Sequence, residues 1–235
     1  MKNDNTTTIS IIIPVLNEEE QIGRLIGHLK KNSSADRIAE IMIVDGGSHD
    51  NTVQIAKSLG VTVLQTGKGR AKQMNEGARH AKGAILYFLH ADTFPPKGFD
   101  QYILSATSKD HESGCFRMRF DSDHWVLRFF AGFTKYNHRI CRGGDQSLFV
   151  TKELFVKTKG FNEDYIIFED NEFIGRLYQR TLFRIIPHYV QTSARKYRQH
   201  GILRLQYHFG VIHLKNYLGA GPGQLYDYYK RKIDL

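Results

Sequence analysis

Between Ile85 and Asp92 the chain reads ILYFLHAD: an apolar run of strand length that breaks into His-Ala-Asp, followed by Thr93 and the helix-hostile pair Pro95-Pro96. Such a run suits a buried central strand. A carboxylate at its end stands at the carboxyl edge of the sheet, where open α/β sheets bind their ligands. A fold for this chain therefore has to be built around Asp92.

The segments before it alternate between strand and helix. Residues Ile9 to Val15 (ISIIIPV) read as a buried strand, and Leu16-Asn17 leads into the acidic helix start Glu18-Glu19-Glu20, with Asn17 as its N-cap. Ile22, Leu25, Ile26 and Leu29 then recur at helical spacing. In the second unit IMIVD is the strand, GGSHDNT the turn, and Ser48 or Asp50 caps a helix from Thr52 to Leu59. The third runs through VTVLQ and TGKGR into a helix from Ala71 to about Lys82. Four such units predict an α/β architecture: a mostly parallel, doubly wound sheet with helices on both faces.

Beyond Pro96 the pattern loosens. Helices are expected over Phe99 to Ser108, Trp125 to about His138 and Phe168 to Arg180. Strands are expected over Gly114 to Phe120, Gln146 to Val150, Phe183 to Ile186 and Tyr189 to Thr192, with a glycine turn at Gly143-Gly144. From Tyr197 onward the chain is helical in pattern, aromatic and basic. With 235 residues and 41% hydrophobic composition, one domain is expected, in three parts: 1–96, 97–200 and a helical extension over 201–235.

A net charge of +9 favours anionic partners, although no long basic run occurs. Nucleic acid is not among them, since neither a recognition helix nor an RNA-binding signature is present. The two cysteines, Cys115 and Cys141, form no CxxC pair, which suits a reduced, cytoplasmic setting. The polar start MKNDNTTTIS does not read as a signal peptide, and no apolar window has the length of a membrane span.

Asp45 and Asp92 both end apolar strands and in a parallel sheet emerge on the same edge. Either one alone has an ordinary explanation as the cap of the next turn, but two together, flanked by glycine or alanine, point to a binding site. VDGGSHDNT has the wrong spacing for a dinucleotide fingerprint and no GxxxxGK[ST] occurs. GKGRAKQMNEGA is the nearest thing to a phosphate cradle: Gly67 and Gly69 free the backbone, Lys68, Arg70 and Lys72 add charge, and a helix N-terminus follows.

Taken in order, IIIPVLNEE, VDGGSHDNT, GKGRAKQMNEGARHAKG, LHADT and FEDNEF resemble a family 2 glycosyltransferase of the GT-A fold, and GRAxQMNxGA, LHADT and GGDQ resemble a compact bacterial subgroup of it. The resemblance implies that Pro14, Asn17 and Glu18 form the first nucleotide-contacting turn, that Asp45 bonds the base, and that Gly67, Arg70 and Ala91 border the nucleotide. It implies that Asp92, the last carboxylate of a DxD motif, holds Mg²⁺ or Mn²⁺ on the diphosphate. Asp170, beside Glu169, corresponds to the catalytic base. Arg195 and Arg198 are similar to a diphosphate-contacting QxxRW region, and Gly144 and Asp145 shape the acceptor pocket or form a hairpin-type turn.

The implied function is inverting, metal-dependent transfer of a sugar from a nucleotide diphosphate, UDP by default or GDP, to an acceptor glycan, lipid or small molecule. The alternatives are a catalytically silent nucleotide-sugar-binding module and a nucleotidyltransferase; the latter would carry a glycine-rich basic loop where this chain has VLNEEE. His90 stands where DxD has its first Asp, either as a ligand or as a packed core histidine. Tyr197 replaces the tryptophan of QxxRW, so processive synthesis is unsupported. The aromatic stripe Trp125, Phe129, Phe130 and Phe133 reads first as core packing; for it and for GILRLQYHFGVIHLKNYL the alternative is peripheral contact with the inner face of the cell membrane.

Overall fold

The computed structural model describes residues 7–109 and 111–234. Strands β1 (Ile9–Val15), β2 (Ile38–Asp45), β3 (Thr62–Gln65) and β4 (Ile85–Phe88) pair in parallel in the order β3-β2-β1-β4. The helices α1 (Glu19–Asn32), α2 (Thr52–Ser58) and α3 (Arg70–His80) connect them, as the alternating pattern predicts. The sheet continues past β4 with β7 (Leu148–Thr151), β6 (Ser113–Phe120), β8 (Arg184–Thr192) and the two-residue β5 (Thr93–Phe94). There β7 is antiparallel to both β4 and β6, while β6 and β8 are parallel.

Side-chain alternation along β1 and β4 divides the interior in two. Ile9, Ile11 and Ile13 join Ile85 and Tyr87 on the face covered by α1 and by α4 (Phe99–Thr107). Ile12, Leu86 and Phe88 face the opposite core, with Met74 and Ala78 of α3 and Phe173, Ile174 and Leu177 of α7 (Glu169–Tyr178). Both faces of these strands are dry, which is why their sequences are continuous apolar runs rather than alternating ones. A third cluster joins Leu127 of α5 (Trp125–Gly132) to α8 (Arg195–His200), α9 (Ile202–Tyr217) and α10 (Pro222–Lys232) through Tyr197, Leu205, Ile212 and Leu225.

Four local expectations change. The α5 helix stops at Gly132 and a 3-10 turn, Phe133–Lys135, follows it, so it does not reach His138. Gln146 belongs to a 3-10 turn, Gly144–Gln146, and not to a strand or a hairpin. The two strands expected around Pro187 are one, β8; its register against β6 slips between Phe116 and Arg117, letting the residue that lacks an N–H pass without breaking the ladder. Asn17 is not the N-cap of α1: that position is Glu18, and Asn17 adopts φ 55° and turns its side chain toward the neighbouring loop.

Within GRAKQMNEGA the small residue has a packing reason. A Cβ on Gly77 would lie 2.5 Å from Ile12 Cγ2 and 3.1 Å from Val44 Cγ2, so α3 sits on the sheet only because that carbon is missing. Neither neighbour is a flexible tip. Gly77→Ala is expected to destabilise the fold by about 1–2 kcal/mol through overpacking, read as a lower urea midpoint at unchanged slope. An unchanged midpoint would mean α3 can back away from the sheet without loss.

Candidate functional site

The carboxyl ends of β1 and β2 are tied together before any ligand arrives. Gln73, buried on α3, donates from Nε2 to Val15 O at 2.8 Å and to Val44 O at 2.7 Å, closing the gap between the two strand ends. The loops beyond interlock: Asn17 N donates to Ser48 Oγ, His49 N to Asn17 Oδ1 and Glu18 N to Thr52 Oγ1, each at 2.9 Å. Asp50 Oδ1 accepts from Thr52 N at 3.0 Å, but the N-cap of α2 is Asn51, which makes no side-chain capping bond, and not Ser48 or Asp50 as expected. This turn has few ways to move.

Asp45 builds part of that rigidity. Its carboxylate accepts from Gly47 N at 3.0 Å and from Ser48 N at 3.1 Å, and the residue is 1% exposed, so the turn-capping alternative is the arrangement seen. Gly47 takes φ 97°, a conformation costly for any residue with a Cβ. Pro14 lies buried within β1, paired with Val44, and Ala91 is packed into the core. The motif Pro-x-x-Asn therefore shapes the first loop through strand pairing at Pro14 and through both the backbone and the side chain of Asn17.

Asp92 differs from Asp45. It is half-buried, no side chain donates a hydrogen bond to it, and burial together with Asp145 raises its pKa against the pull of His90 and Arg195. Two residues earlier, His90 stands between two carboxylates, with Nδ1 3.6 Å from Asp145 Oδ1 and Nε2 3.6 Å from Asp170 Oδ2. Burial opposes its charge, but the two carboxylates outweigh burial and push its pKa up to about 10, so the ring is an imidazolium at neutral pH. His90 therefore bridges the 3-10 turn at Asp145 and the start of α7, with a carboxylate on each side of its ring. Asp145, half-exposed, is held below the usual carboxylate range, with His90 overcoming the effect of burial.

Below this cluster lies an ion pair of different character. Arg70, first residue of α3, has Nε 3.4 Å from Glu169 Oε1, and Glu169 is 1% exposed with that same oxygen accepting no hydrogen bond. Glu169 raises the Arg70 pKa more strongly than burial lowers it, and burial raises the pKa of Glu169 against the pull of Arg70. The phosphate-cradle reading of Arg70 is therefore incomplete: its recorded partner is the neighbour of Asp170. Gly67 lies in the open loop just before it, and Gly69, at φ 140°, provides the entry to α3.

Of the two arginines in TSARKYRQHG, one reaches the cleft. Arg195 Nη2 donates to Glu18 at 2.8 and 3.1 Å and attracts Asp92, and it borders a cleft of about 420 Å³ formed by Asn17 to Glu20, Asp50 and the face of α8. Arg198 pairs instead with Asp121 at 3.2 and 3.3 Å. Lys196, which lowers the pKa of Asp145, escaped the sequence reading, although its place beside Arg195 could have suggested it. Gly144 and Asp145 depend on the buried Arg142, whose Nη1 bonds Gln146 Oε1 at 2.5 Å and whose carbonyl accepts from Asn171 Nδ2 at 2.7 Å.

Among the described residues no group of three or more His, Cys, Asp or Glu side chains forms a cage for a metal ion. A hard divalent cation carried by a diphosphate needs only one or two protein carboxylates, and Asp92 is an oxygen donor of that kind with no competing side-chain partner. The donor set fits Mg²⁺ or Mn²⁺ bound together with the phosphates.

The profile of glycosyl transferase family 2 matches residues 10–186. The chain belongs to this family. The chain is similar to the 4,4'-diaponeurosporenoate glycosyltransferase of Staphylococcus aureus strain bovine RF122 / ET3-1, 29% identical over 140 residues, 56% of this chain and 36% of that protein, so the match spans about a third of the relative's length. Two solved structures share the fold. Staphylococcus aureus TarS 1-349 in complex with UDP superposes with TM-score 0.68 at 20% identity over 79% of this chain and 60% of its own. The mannosyltransferase PcManGT of Pyrobaculum calidifontis, in complex with GDP-Man and Mn²⁺, superposes with TM-score 0.69 at 17% identity over 95% and 69%. The α/β sheet, mostly parallel and flanked by helices, has the GT-A fold of these neighbours.

Proposed function

We propose that this family 2 member transfers a sugar from a nucleotide diphosphate to an acceptor hydroxyl or lipid phosphate, with inversion at the anomeric carbon and with a divalent cation held on the diphosphate by Asp92. The observation that carries the reading is the convergence of Asp92, His90, Asp145 and Asp170 from three separate elements on one end of β4. The structural neighbours bear UDP in one case and GDP-Man with Mn²⁺ in the other, which supports a nucleotide-sugar donor without selecting its base.

In this reading the base lies against the interlocked Asn17–Ser48 and Asp45 turns, in the half of the chain before Pro96, and the acceptor enters over the loop that carries Gly144 and Asp145. Arg195 and Lys196 face the diphosphate. Asp170 takes the acceptor proton as the hydroxyl attacks; the imidazolium of His90 orients that carboxylate and holds Asp145 in place. When bound, the cation neutralises charge building on the departing diphosphate. A single displacement on the face opposite the leaving group inverts the centre. An amphiphilic acceptor belongs to the same reading, and with it contact to a membrane.

A thermal-shift screen of nucleoside diphosphates and their sugars, with and without Mn²⁺, tests this directly. A donor present at ~100 times its dissociation constant is expected to add about 2.7 kcal/mol of stability, and Asp92→Asn is expected to remove the Mn²⁺-dependent share. Failure of every nucleotide to stabilise the protein would sink the proposal.

A further inference from the structure

Helix α5 buries Val126, Leu127 and Ala131 and leaves its aromatic residues outside: Trp125 is 73% exposed and Phe129 58%, with Phe130 and Phe133 also at the surface. Core packing, the first reading of this stripe, is overturned. Helix α9 repeats the arrangement. Leu205 and Ile212 face inward while Leu203, Tyr207, Leu214 and Tyr217 form a second exposed stripe at helical spacing. The two helices touch, and a groove of about 480 Å³ runs between their N-terminal ends, walled by Trp125 and Val126 on one side and Ile202 and Leu203 on the other.

The charge on these elements is one-sided. From His124 to Gly144, and again from Phe173 to Tyr226, the chain contains no Asp or Glu, so neither α5 nor α9 carries an acid. Arg128, Lys135 and Arg139 are exposed along the first stretch and Arg204 beside the groove. A second copy of the chain would bring the same positive field to the contact, which opposes self-association. Aromatic side chains set among cations, with no acid within either helix and with Asp121 and Asp123 just before α5, match the interfacial zone of an anionic bilayer, where ring bodies enter the acyl boundary and cations meet headgroups.

We propose that α5 and the N-terminal half of α9 form a docking surface for an anionic lipid bilayer. The surface stands independently of the transfer reaction, but its position bears on that reaction. The 133–146 segment leads from Phe133 through the exposed Tyr136 and Ile140 to Asp145, 3.6 Å from His90, so a docked bilayer would lie at the acceptor side of the cleft.

Trp125 is the sole tryptophan of the chain, so its fluorescence reports on this face alone. With vesicles of phosphatidylcholine mixed with phosphatidylglycerol at low salt, the full chain is expected to float with the lipid and the emission of Trp125 to shift to the blue. Arg128→Glu combined with Lys135→Glu is expected to weaken partitioning by more than about tenfold, and Phe129→Ser combined with Leu203→Ser by about tenfold. High salt should reverse the charge-dependent part. All four side chains are exposed, so unchanged melting temperatures and unchanged donor binding in these variants separate lost docking from lost folding and from failure of the catalytic reading. The proposal is overturned by absence of both flotation and spectral shift, by equal binding to pure phosphatidylcholine, or by a blue shift that appears on concentrating the protein without vesicles, which would assign the face to a second copy.

Discussion

Asp170→Asn is expected to cut sugar transfer by about 10²–10⁴-fold, the usual contribution of a positioned general base, while leaving donor binding and folding nearly intact. The substitution keeps the shape of a side chain that is 10% exposed in the first turn of α7, and it keeps an oxygen that can face His90 across 3.6 Å. What it removes is the basic lone pair that would accept the acceptor proton. The informative measurement is kcat under saturating donor, with donor affinity taken from the thermal shift on the same preparation. Because α7's N-terminus also favours negative charge, a small loss of stability, about 0.3–1 kcal/mol, should accompany the change. A variant that turns over at the parental rate would remove Asp170 from the chemistry.

Arg70→Met is expected to destabilise the fold by about 2–3 kcal/mol at neutral pH. Loss of one member of a fully buried ion pair costs about 3–5 kcal/mol, and the smaller figure reflects the partly exposed guanidinium, 40% accessible, which water already screens. The penalty falls on Glu169, whose side chain is 2% exposed and would keep its charge with no cation beside it. The pH dependence follows from the direction of its pKa. Burial raises the folded-state pKa of Glu169 above its ordinary value, and removal of Arg70 takes away the main opposing influence. A carboxyl group with a raised folded pKa favours the folded state when protonated, so the deficit should be full at neutral pH and shrink as pH falls through that pKa. Chemical denaturation of Arg70→Met at neutral and mildly acidic pH checks the sign, and adding Glu169→Gln should restore most of the loss at neutral pH. A deficit independent of pH would show that Arg70 acts through packing alone.

These two substitutions separate neighbours that the motif FEDNEF presents side by side. Residues 169 and 170 are consecutive on α7, yet one side chain is turned toward the start of α3 and the other toward His90. A stability effect at Glu169 and a rate effect at Asp170 would be the experimental mark of that division.

Much of the frame was legible because its signals are local. Apolar runs of strand length alternate with helical spacing up to Phe88, and β1 and β4 are dry on both faces, so β1 to β4 and their order of connection follow from the pattern. Asp92 and Asp170 could be singled out by motif, and both do stand at the same end of the sheet. The boundaries that shifted lie where local signals conflict: Pro187 suggests an interruption that the slipped register of β8 absorbs, and Asn17 resembles a cap but is used across loops.

Side-chain partnership was not legible, because it depends on distances that composition and spacing do not encode. Sequence alone determined an α/β sheet with carboxylates at its carboxyl edge and a basic, aromatic latter half. Only the tertiary structure decided that Arg70 serves Glu169, that Arg198 serves Asp121, and that His90 is caught between Asp145 and Asp170. It also decided which side of α5 meets water: helical spacing shows that two faces differ, but only the packing of Val126, Leu127 and Ala131 against the sheet and α9 turns the aromatic face outward. The physical reason is the same throughout. Periodicity is a property of a few consecutive residues, whereas the sign of a pairing and the inside of a helix are set by elements that meet only after the chain has closed.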